Sequence, residues 1–143
     1  MYRFLRPLCW LWASPTTALG LVLGLLGVAT GGRAQLRTRA IEFHGGLLTT
    51  LLKYTPIRAA AMTLGHVIIG RDAKVLDHCR EHEWVHVRQC ERWGPLFVPA
   101  YLGCSFALWL MGRDAYFENP FEVEAYAADE ARRAQSDAEP HKD

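Results

Sequence analysis

Two histidines and a glutamate stand together in the five-residue block His82-Glu83-Trp84-Val85-His86. On an α-helix, side chains four residues apart lie on one face, so His82 and His86 would direct their imidazoles at one point. Neutral imidazole nitrogens bind Zn²⁺ at about 2.0–2.1 Å, and Glu83 would lie beside the metal rather than on it. There it could take a proton from a water whose pKa the metal lowers towards neutrality. The block therefore predicts a hydrolytic zinc site of the HExxH kind.

A catalytic zinc ion usually has three protein ligands, so a third must come from elsewhere in the chain. The downstream stretch "NPFEVEAYAADE" contains Glu122 and Glu124. It is predicted to form a separate helix, because Asn119 could cap it and Pro120 suits the first helical position. The two glutamates are about 200° apart around such a helix, so only one can face the metal. The residues alone leave both open as the third ligand.

His82-Glu83-x-x-His86 followed by Glu122-x-x-Ala125 resembles the gluzincin metallopeptidases. The resemblance is closest to the membrane-bound HtpX-like group, in which the third ligand is the glutamate of an ExxAD motif on a following helix. It implies that His82, His86 and Glu122 bind zinc and that Glu83 is the catalytic base. The stretch also resembles small, poorly characterised bacterial membrane proteins that carry HExxH, which implies the bacterial inner membrane as the location. The resemblance covers roughly residues 62–128.

The chain departs from the gluzincin pattern at three positions. Arg80 stands two residues before the first histidine and Arg88 two after the second, where metallopeptidases usually have an uncharged and a hydrophobic residue. Tyr126 replaces the aspartate of ExxAD, although Asp129 would lie on the same helix face as the glutamate of that motif. These departures favour metal binding more than proteolysis. Two surface histidines with a salt-bridging Glu83 are the alternative.

Three further residues could contribute to the site. His66, in a predicted strand, or its neighbours could line a substrate cleft, because a strand edge beside the active helix binds the substrate backbone in gluzincins. His78 continues the four-residue spacing of the motif histidines, and Gln89 lies three residues after the second of them. The simpler interpretation makes His66 an ordinary strand residue and places His78 and Gln89 on the surface.

Two uncharged apolar segments occur in the chain, at residues 8–32 and 93–112. The first predicts an N-terminal membrane anchor, with a cleaved signal peptide as the alternative, and its nearly balanced flanking arginines leave the side of the catalytic domain open. If the second segment crossed a bilayer once, His86 and Glu122 would lie on opposite sides of a layer about 30 Å thick. The shared site therefore predicts a helix that returns to the same side, either buried or dipping into the bilayer.

The elements that must position these residues predict an α+β fold. A small β-layer comes first: residues 40–52 begin as a strand and break at Gly45-Gly46, and residues 59–70 form a further strand. Three helices follow, which are the HExxH helix ending at Trp93, an apolar helix over 96–111 and a glutamate helix over 116–135. The predicted organisation is an N-terminal membrane anchor or signal (1–34), a zincin-like metal-binding domain (35–135) and a disordered tail (136–143).

The formal net charge of +1, without a long run of one sign, gives no general case for nucleic acid as a partner. The four cysteines have neither disulfide-framework nor zinc-knuckle spacing, so free thiols are predicted. The predicted partners are the lipid bilayer and a peptide or protein substrate at the membrane. Together the residues predict a membrane-anchored, zinc-dependent metallohydrolase, most simply a peptidase. The alternative is a non-catalytic membrane protein that keeps a zincin-like fold as an adaptor or structural metal binder.

Overall fold

Short strands and helices alternate along residues 10–138, the part of the chain that the computed structural model describes. The strands are β1 (Arg33–Leu36), β2 (Ile41–His44), β3 (Ala61–Leu64) and β4 (Val67–Gly70). The helices are α1 (Ser14–Ala29), α2 (Leu47–Lys53), α3 (Ala73–Trp93), α4 (Phe97–Leu110) and α5 (Pro120–Ala138). The α+β prediction is confirmed. Residues 1–9 of the predicted anchor and 139–143 of the predicted tail lie outside the described residues.

The four strands form one mixed sheet in the order β1-β2-β4-β3. The outer pairs are antiparallel, whereas β2 and β4 run parallel at the centre, and β3 forms an edge of the sheet. The prediction of a single strand over 59–70 is wrong. Gly65 takes a positive φ of 63° and, with His66, turns the chain back on itself as a hairpin.

One face of the sheet carries an apolar core. Because side chains alternate along a strand, Phe43, Val67 and Ile69 point to the same side, where they pack with Leu48 and Leu52 of α2. All five are buried. The opposite face carries Ile68 together with polar side chains and is covered by α3.

The apolar core face is also covered by α1, which approaches it through a stripe of buried glycines. A Cβ at Gly24 would overlap the ring of Phe43, and one at Gly20 would lie 2.7 Å from the Cβ of Val67. The N-terminal apolar segment is therefore a layer of the fold from residue 14 onwards. Its outer side is apolar and exposed, as shown by Leu19 (52%), Val22 (56%) and Leu25 (61%).

The helix that carries the motif begins at Asp72, whose side chain accepts a hydrogen bond from the Val75 N–H at 2.9 Å. It ends at Gly94, where a positive φ of 57° redirects the chain into a 3₁₀ turn over Gly94–Leu96 and then into α4. In a straight helix Tyr101 would lie about 22 Å along the axis from His86. Their ring centroids are instead 6.5 Å apart, so α4 folds back over the motif.

Within residues 10–138, one helical stretch, Ala73–Leu110, is long and apolar enough to cross a membrane by length and composition alone. Only 17% of its most apolar part is buried. The stretch Ala73–Leu110 also contains the bend at Gly94. The α1 helix has 16 residues, about 24 Å of helix, against a hydrocarbon layer of about 30 Å.

The last helix is tied to α4 at its start. Asn119 accepts a hydrogen bond from the Phe121 N–H at 3.1 Å and donates one to the Tyr101 carbonyl at 3.0 Å. Asn119 and Pro120 are thus the cap and the first helical residue, as predicted, and residues 116–119 of the predicted segment 116–135 precede the helix. At its other end α5 reaches Ala138, so the first three residues of the predicted tail are helical.

Candidate metal centre

His82, His86 and Glu122 meet where α3 and α5 pack against each other. Nε2 of His82 lies 3.2 Å from Oε2 of Glu122, and Nε2 of His86 lies 3.4 Å from Oε1 of the same carboxylate. One ligand atom from each of the three residues lies within 4.8 Å of the other two. The three residues predicted as ligands are thus brought together, and they could hold a metal ion.

The outer nitrogens of both imidazoles are held by acceptors. Nδ1 of His82 lies 2.9 Å from Oδ2 of Asp129, and Nδ1 of His86 lies 2.8 Å from Oε1 of Gln89. Because an imidazole N–H donates to each of these oxygens, a neutral ring keeps its lone pair on Nε2, the nitrogen that faces Glu122. This is the arrangement in which histidines bind metals, with the far nitrogen fixed by a hydrogen bond. Asp129 occupies the position expected of a group that orients a ligand.

The surface interpretation of Gln89 is wrong. Its exposed fraction is 0%, and its amide group donates to the Phe121 carbonyl at 3.0 Å and to Oε2 of Glu124 at 2.8 Å. Glu124 also pairs with Arg92 at 3.5 Å, on the outer side of the helix pair. The structure therefore directs Glu122 into the cluster and Glu124 away from it.

The carboxylate of Glu83 is buried in the same cleft as the two histidines. Its Oε2 accepts a hydrogen bond from Oγ1 of Thr63 at 2.7 Å. Within residues 10–138 its Oε1 accepts no hydrogen bond. The edge strand β3 thus fixes one oxygen of Glu83 and leaves the other for a small molecule in the cleft.

Tyr101 of α4 contacts the cluster and was not predicted to do so. Its hydroxyl donates to Oε1 of Glu122 at 2.7 Å, and the neighbouring Phe97 ring lies 6.2 Å from the His86 ring. In the sequence, Tyr101 showed only the helical spacing of a core or lipid-facing aromatic, which does not separate a site residue from its neighbours. Thr63 carried no stronger signal than its place in a predicted strand.

The structure accounts for the two arginines that depart from the motif pattern. Arg80 points to the sheet, where it donates to both oxygens of Glu42 at 2.7 and 3.0 Å. Glu42 has an exposed fraction of 0%, so this guanidinium neutralises a charge that is removed from water. Arg88 lies on the outer surface of α3. Neither arginine reaches the cluster.

The histidines and Glu122 of the cluster shift each other's pKa values. Burial opposes protonation of His86, but its hydrogen bond to Glu122 and the nearby charges of Glu83 and Glu122 outweigh burial and raise its pKa to about 9. Burial likewise opposes ionisation of Glu122, but hydrogen bonds from His82 and His86 lower its pKa to about 2. The pKa of His82 is raised as well, through hydrogen bonds to Glu122 and Asp129 that outweigh its burial. A metal ion must therefore displace a proton from these histidines.

The cluster opens into a cleft of about 360 Å³ between β3, α3, α4 and α5. His78 lies on its rim, whereas His66 does not line it. His66 is buried at the β3–β4 turn, with Nε2 3.2 Å from Oε1 of Glu91. Its neighbours Thr63 and Leu64 line the cleft instead. Cys79 lines the cleft as a free thiol, and Cys90 and Cys104 are also free.

No protein-family model, curated protein or solved structure matches this chain. The resemblance to gluzincins therefore stays a prediction that rests on the motif residues. The geometry of the cluster is an independent observation, because it depends on contacts between helices far apart in the chain.

Proposed function

We propose that this chain is a membrane-anchored, zinc-dependent metallohydrolase of the gluzincin type, most simply a peptidase. The observation that carries the proposal is the meeting of three metal-binding side chains and a buried carboxylate, Glu83, in one open cleft. A structural metal site closes its coordination with a fourth protein ligand, whereas a catalytic one keeps an open position. Three candidate ligands beside a cleft fit the catalytic kind.

The donor set fits zinc by its chemistry. Two imidazole nitrogens and one carboxylate oxygen are a common set for catalytic zinc, and both histidines have their other nitrogen held by an acceptor. His82, His86 and Glu122 would hold the ion. When bound, zinc supplies Lewis acidity, which activates a water and polarises a carbonyl group.

Glu83 has the position of a general base in this proposal. It would take a proton from water through its free Oε1 and pass it to the departing amine, while Thr63 holds Oε2. Tyr101 keeps Glu122 in place from the α4 side through its hydroxyl. Thus α4 holds the proposed ligand Glu122, and β3 holds the proposed base Glu83.

An extended peptide could bind along the edge of β3. In the antiparallel ladder with β4, every second residue of β3 directs its N–H and C=O towards β4. Because the Arg71 N–H donates to the Ala60 carbonyl, the N–H and C=O groups of Ala61 and Thr63 point away from β4. Both residues line the cleft. Addition of a substrate strand to such an edge uses main-chain hydrogen bonds and is a general mode of peptide recognition.

The membrane part of the proposal rests on two exposed apolar surfaces. One is the outer side of α1, and the other is the outer side of α4, whose exposed residues are Leu102, Phe106, Trp109 and Leu110. Removal of residues 1–34 as a signal peptide would strip α1 from the core face of the sheet. We therefore favour a retained N-terminal segment whose helix α1 belongs to the fold, with the outer sides of α1 and α4 in contact with the bilayer.

The test measures zinc content and hydrolysis on the full chain purified in detergent. We expect about one zinc per chain in the wild type and in Glu83→Gln, since Glu83 is not a ligand. Hydrolysis of a fluorogenic peptide library should fall by about 10²–10⁴-fold in Glu83→Gln. Glu81→Gln, on an exposed position of the same helix, is the matched control and should keep the wild-type rate.

Three outcomes would separate the alternatives. A folded wild type that binds no metal removes the proposal. Zinc bound equally well after His82→Ala removes the ligand assignment. Zinc bound without hydrolysis of any peptide would favour the non-catalytic adaptor or structural metal binder.

A further inference from the structure

The cleft has two chemically different ends. The His86 end is closed by α4, with Phe97, Val98 and Leu102 on its wall. The His82 end carries His78, one helical turn earlier on α3, and Arg133 of α5. One end is thus apolar and continuous with the exposed side of α4, and the other is polar, with Arg133 close to Asp129.

The antiparallel packing of α3 and α5 places Arg133 at that end. His82 meets Asp129, and Arg132 reaches back to Glu81 at 2.6 Å. Asp129 and Arg133 are four residues apart, so Arg133 lies one turn beyond the His82 contact and opposite His78. That turn corresponds to about 6 Å, or about two residues of an extended peptide.

Arg133 differs from its neighbour Arg132 in its ion pairs. Arg132 pairs with both Glu81 and Asp129. Arg133 is exposed and, within residues 10–138, forms no ion pair. The carboxylates within about one turn of it on α5 are Asp129, Glu130 and Asp137, and none of them forms an ion pair with it; Asp129 pairs instead with His82 and Arg132. The carboxylates inside the cleft, in contrast, each accept at least one hydrogen bond.

We propose that the cleft binds an extended peptide that carries a carboxylate about two or three residues from the bond over the metal cluster, on the Arg133 side. The proposal rests on the proposed function for the position of that bond. Arg133 donates charge-assisted hydrogen bonds to the carboxylate, and the ring of His78 supports it from α3. The carboxylate is either an Asp or Glu side chain or the free end of the peptide. The opposite side of the peptide is apolar, because it lies against Phe97, Val98 and Leu102.

The experiment measures binding rather than turnover, in the zinc-loaded full chain with Glu83→Gln in detergent. Three dye-labelled peptides share one apolar half and are compared by fluorescence anisotropy. The first has an Asp in the Arg133 half and an amidated end, the second has Asn there instead, and the third is neutral but ends in a free carboxylate. Arg133→Ala is the test variant, and Arg88→Ala, on an exposed position of α3, is the matched control.

We expect at least one carboxylate peptide to bind about tenfold more tightly than the Asn peptide. Arg133→Ala should remove this preference, and Arg88→Ala should keep it. A gain confined to the free carboxylate would identify the peptide end as the recognised group, and a gain for the Asp peptide would identify a side chain. Equal binding of all three peptides, no binding of any, or a preference that survives Arg133→Ala would overturn the inference.

Failure of this inference is distinguishable from failure of the proposed function. If a carboxylate peptide binds in an Arg133-dependent way but the wild-type protein hydrolyses no peptide, the inference is supported and the hydrolase is removed. If hydrolysis depends on Glu83 but the binding assay shows no preference for a carboxylate, the hydrolase is supported and the inference about Arg133 is removed.

Discussion

On the α1 side of the sheet, Phe43 and Val67 pack so closely against Gly24 and Gly20 that a Cβ on either glycine would overlap them, whereas the buried groups on the α3 side include Glu42, Thr63 and Glu83. The first side depends on shape, because a glycine stripe lets a helix backbone approach the strands closely. The second depends on pairing, because Glu42, Thr63 and Glu83 each have a hydrogen-bond partner from another element. A mutation should therefore act through volume on one side and through lost partners on the other.

The largest effect on stability is expected from the pairing side, at the Arg80–Glu42 ion pair. Arg80→Ala leaves a carboxylate with an exposed fraction of 0% without its main partner. Gln35 and Arg37 still contact Glu42, so we expect a loss of about 3 kcal/mol in the free energy of unfolding, the lower end for a broken buried pair. Chemical denaturation in detergent measures it. Arg88→Ala should change stability by less than about 0.5 kcal/mol, and an equal loss in both variants would contradict the comparison.

Close packing on the α1 side of the sheet is tested by comparing two glycines that lie in helices. Gly24→Ala would place a methyl group in the ring of Phe43, and we expect a loss of about 1–3 kcal/mol in the same measurement. Gly103→Ala in α4 meets nothing within 4 Å and should stabilise the chain by up to about 1 kcal/mol, because alanine favours the helix. If both substitutions stabilised the protein, the close packing of α1 on the sheet would be refuted.

The pairing side should also control metal affinity from outside the cluster. Gln89→Leu removes the acceptor that holds Nδ1 of His86, so we expect zinc affinity to fall by about 10–100-fold. Competition with a chromogenic chelator measures the change. Glu124→Gln keeps the Gln89–His86 contact and should have little effect. Unchanged affinity in Gln89→Leu would show that this hydrogen bond does not orient the ligand.

The smallest effect is the pH dependence of the metal-free protein. The pKa of His86 is about 9 in the folded chain against an ordinary 6.5, so its stabilisation is complete below pH 6.5 and is lost as pH rises through 9. The pKa of Glu122 is about 2 against 4.5, so its stabilisation holds above pH 4.5 and is lost as pH falls through 2. Between pH 6.5 and 8 we expect the free energy of unfolding to decrease by about 1.5 kcal/mol through His86. Glu122→Gln should flatten this slope, and a stability that increases over that range in the wild type would contradict the charge coupling.

Some features of the fold were predictable because they depend on local chemistry. Asn119 and Pro120 marked the start of α5, and Gly94 the end of α3, since caps and breakers act within a few residues. The Gly65 turn was missed, because the apolar pattern on both sides of it reads like one continuous strand. A glycine in a strand pattern signals a bulge or close approach as readily as a turn.

By itself, the sequence determined the pairing of His82 with His86, because four residues on a helix always return a side chain to the same face. It also determined that one of two glutamates on a second helix could join them. Only the tertiary structure decided that this is Glu122, that Asp129 holds the outer nitrogen of His82, and that Thr63 and Tyr101 reach the site. The physical reason is distance along the chain. A helix repeat fixes neighbours within one turn, whereas contacts across 20 to 47 residues depend on how α3, α4, α5 and the sheet pack together.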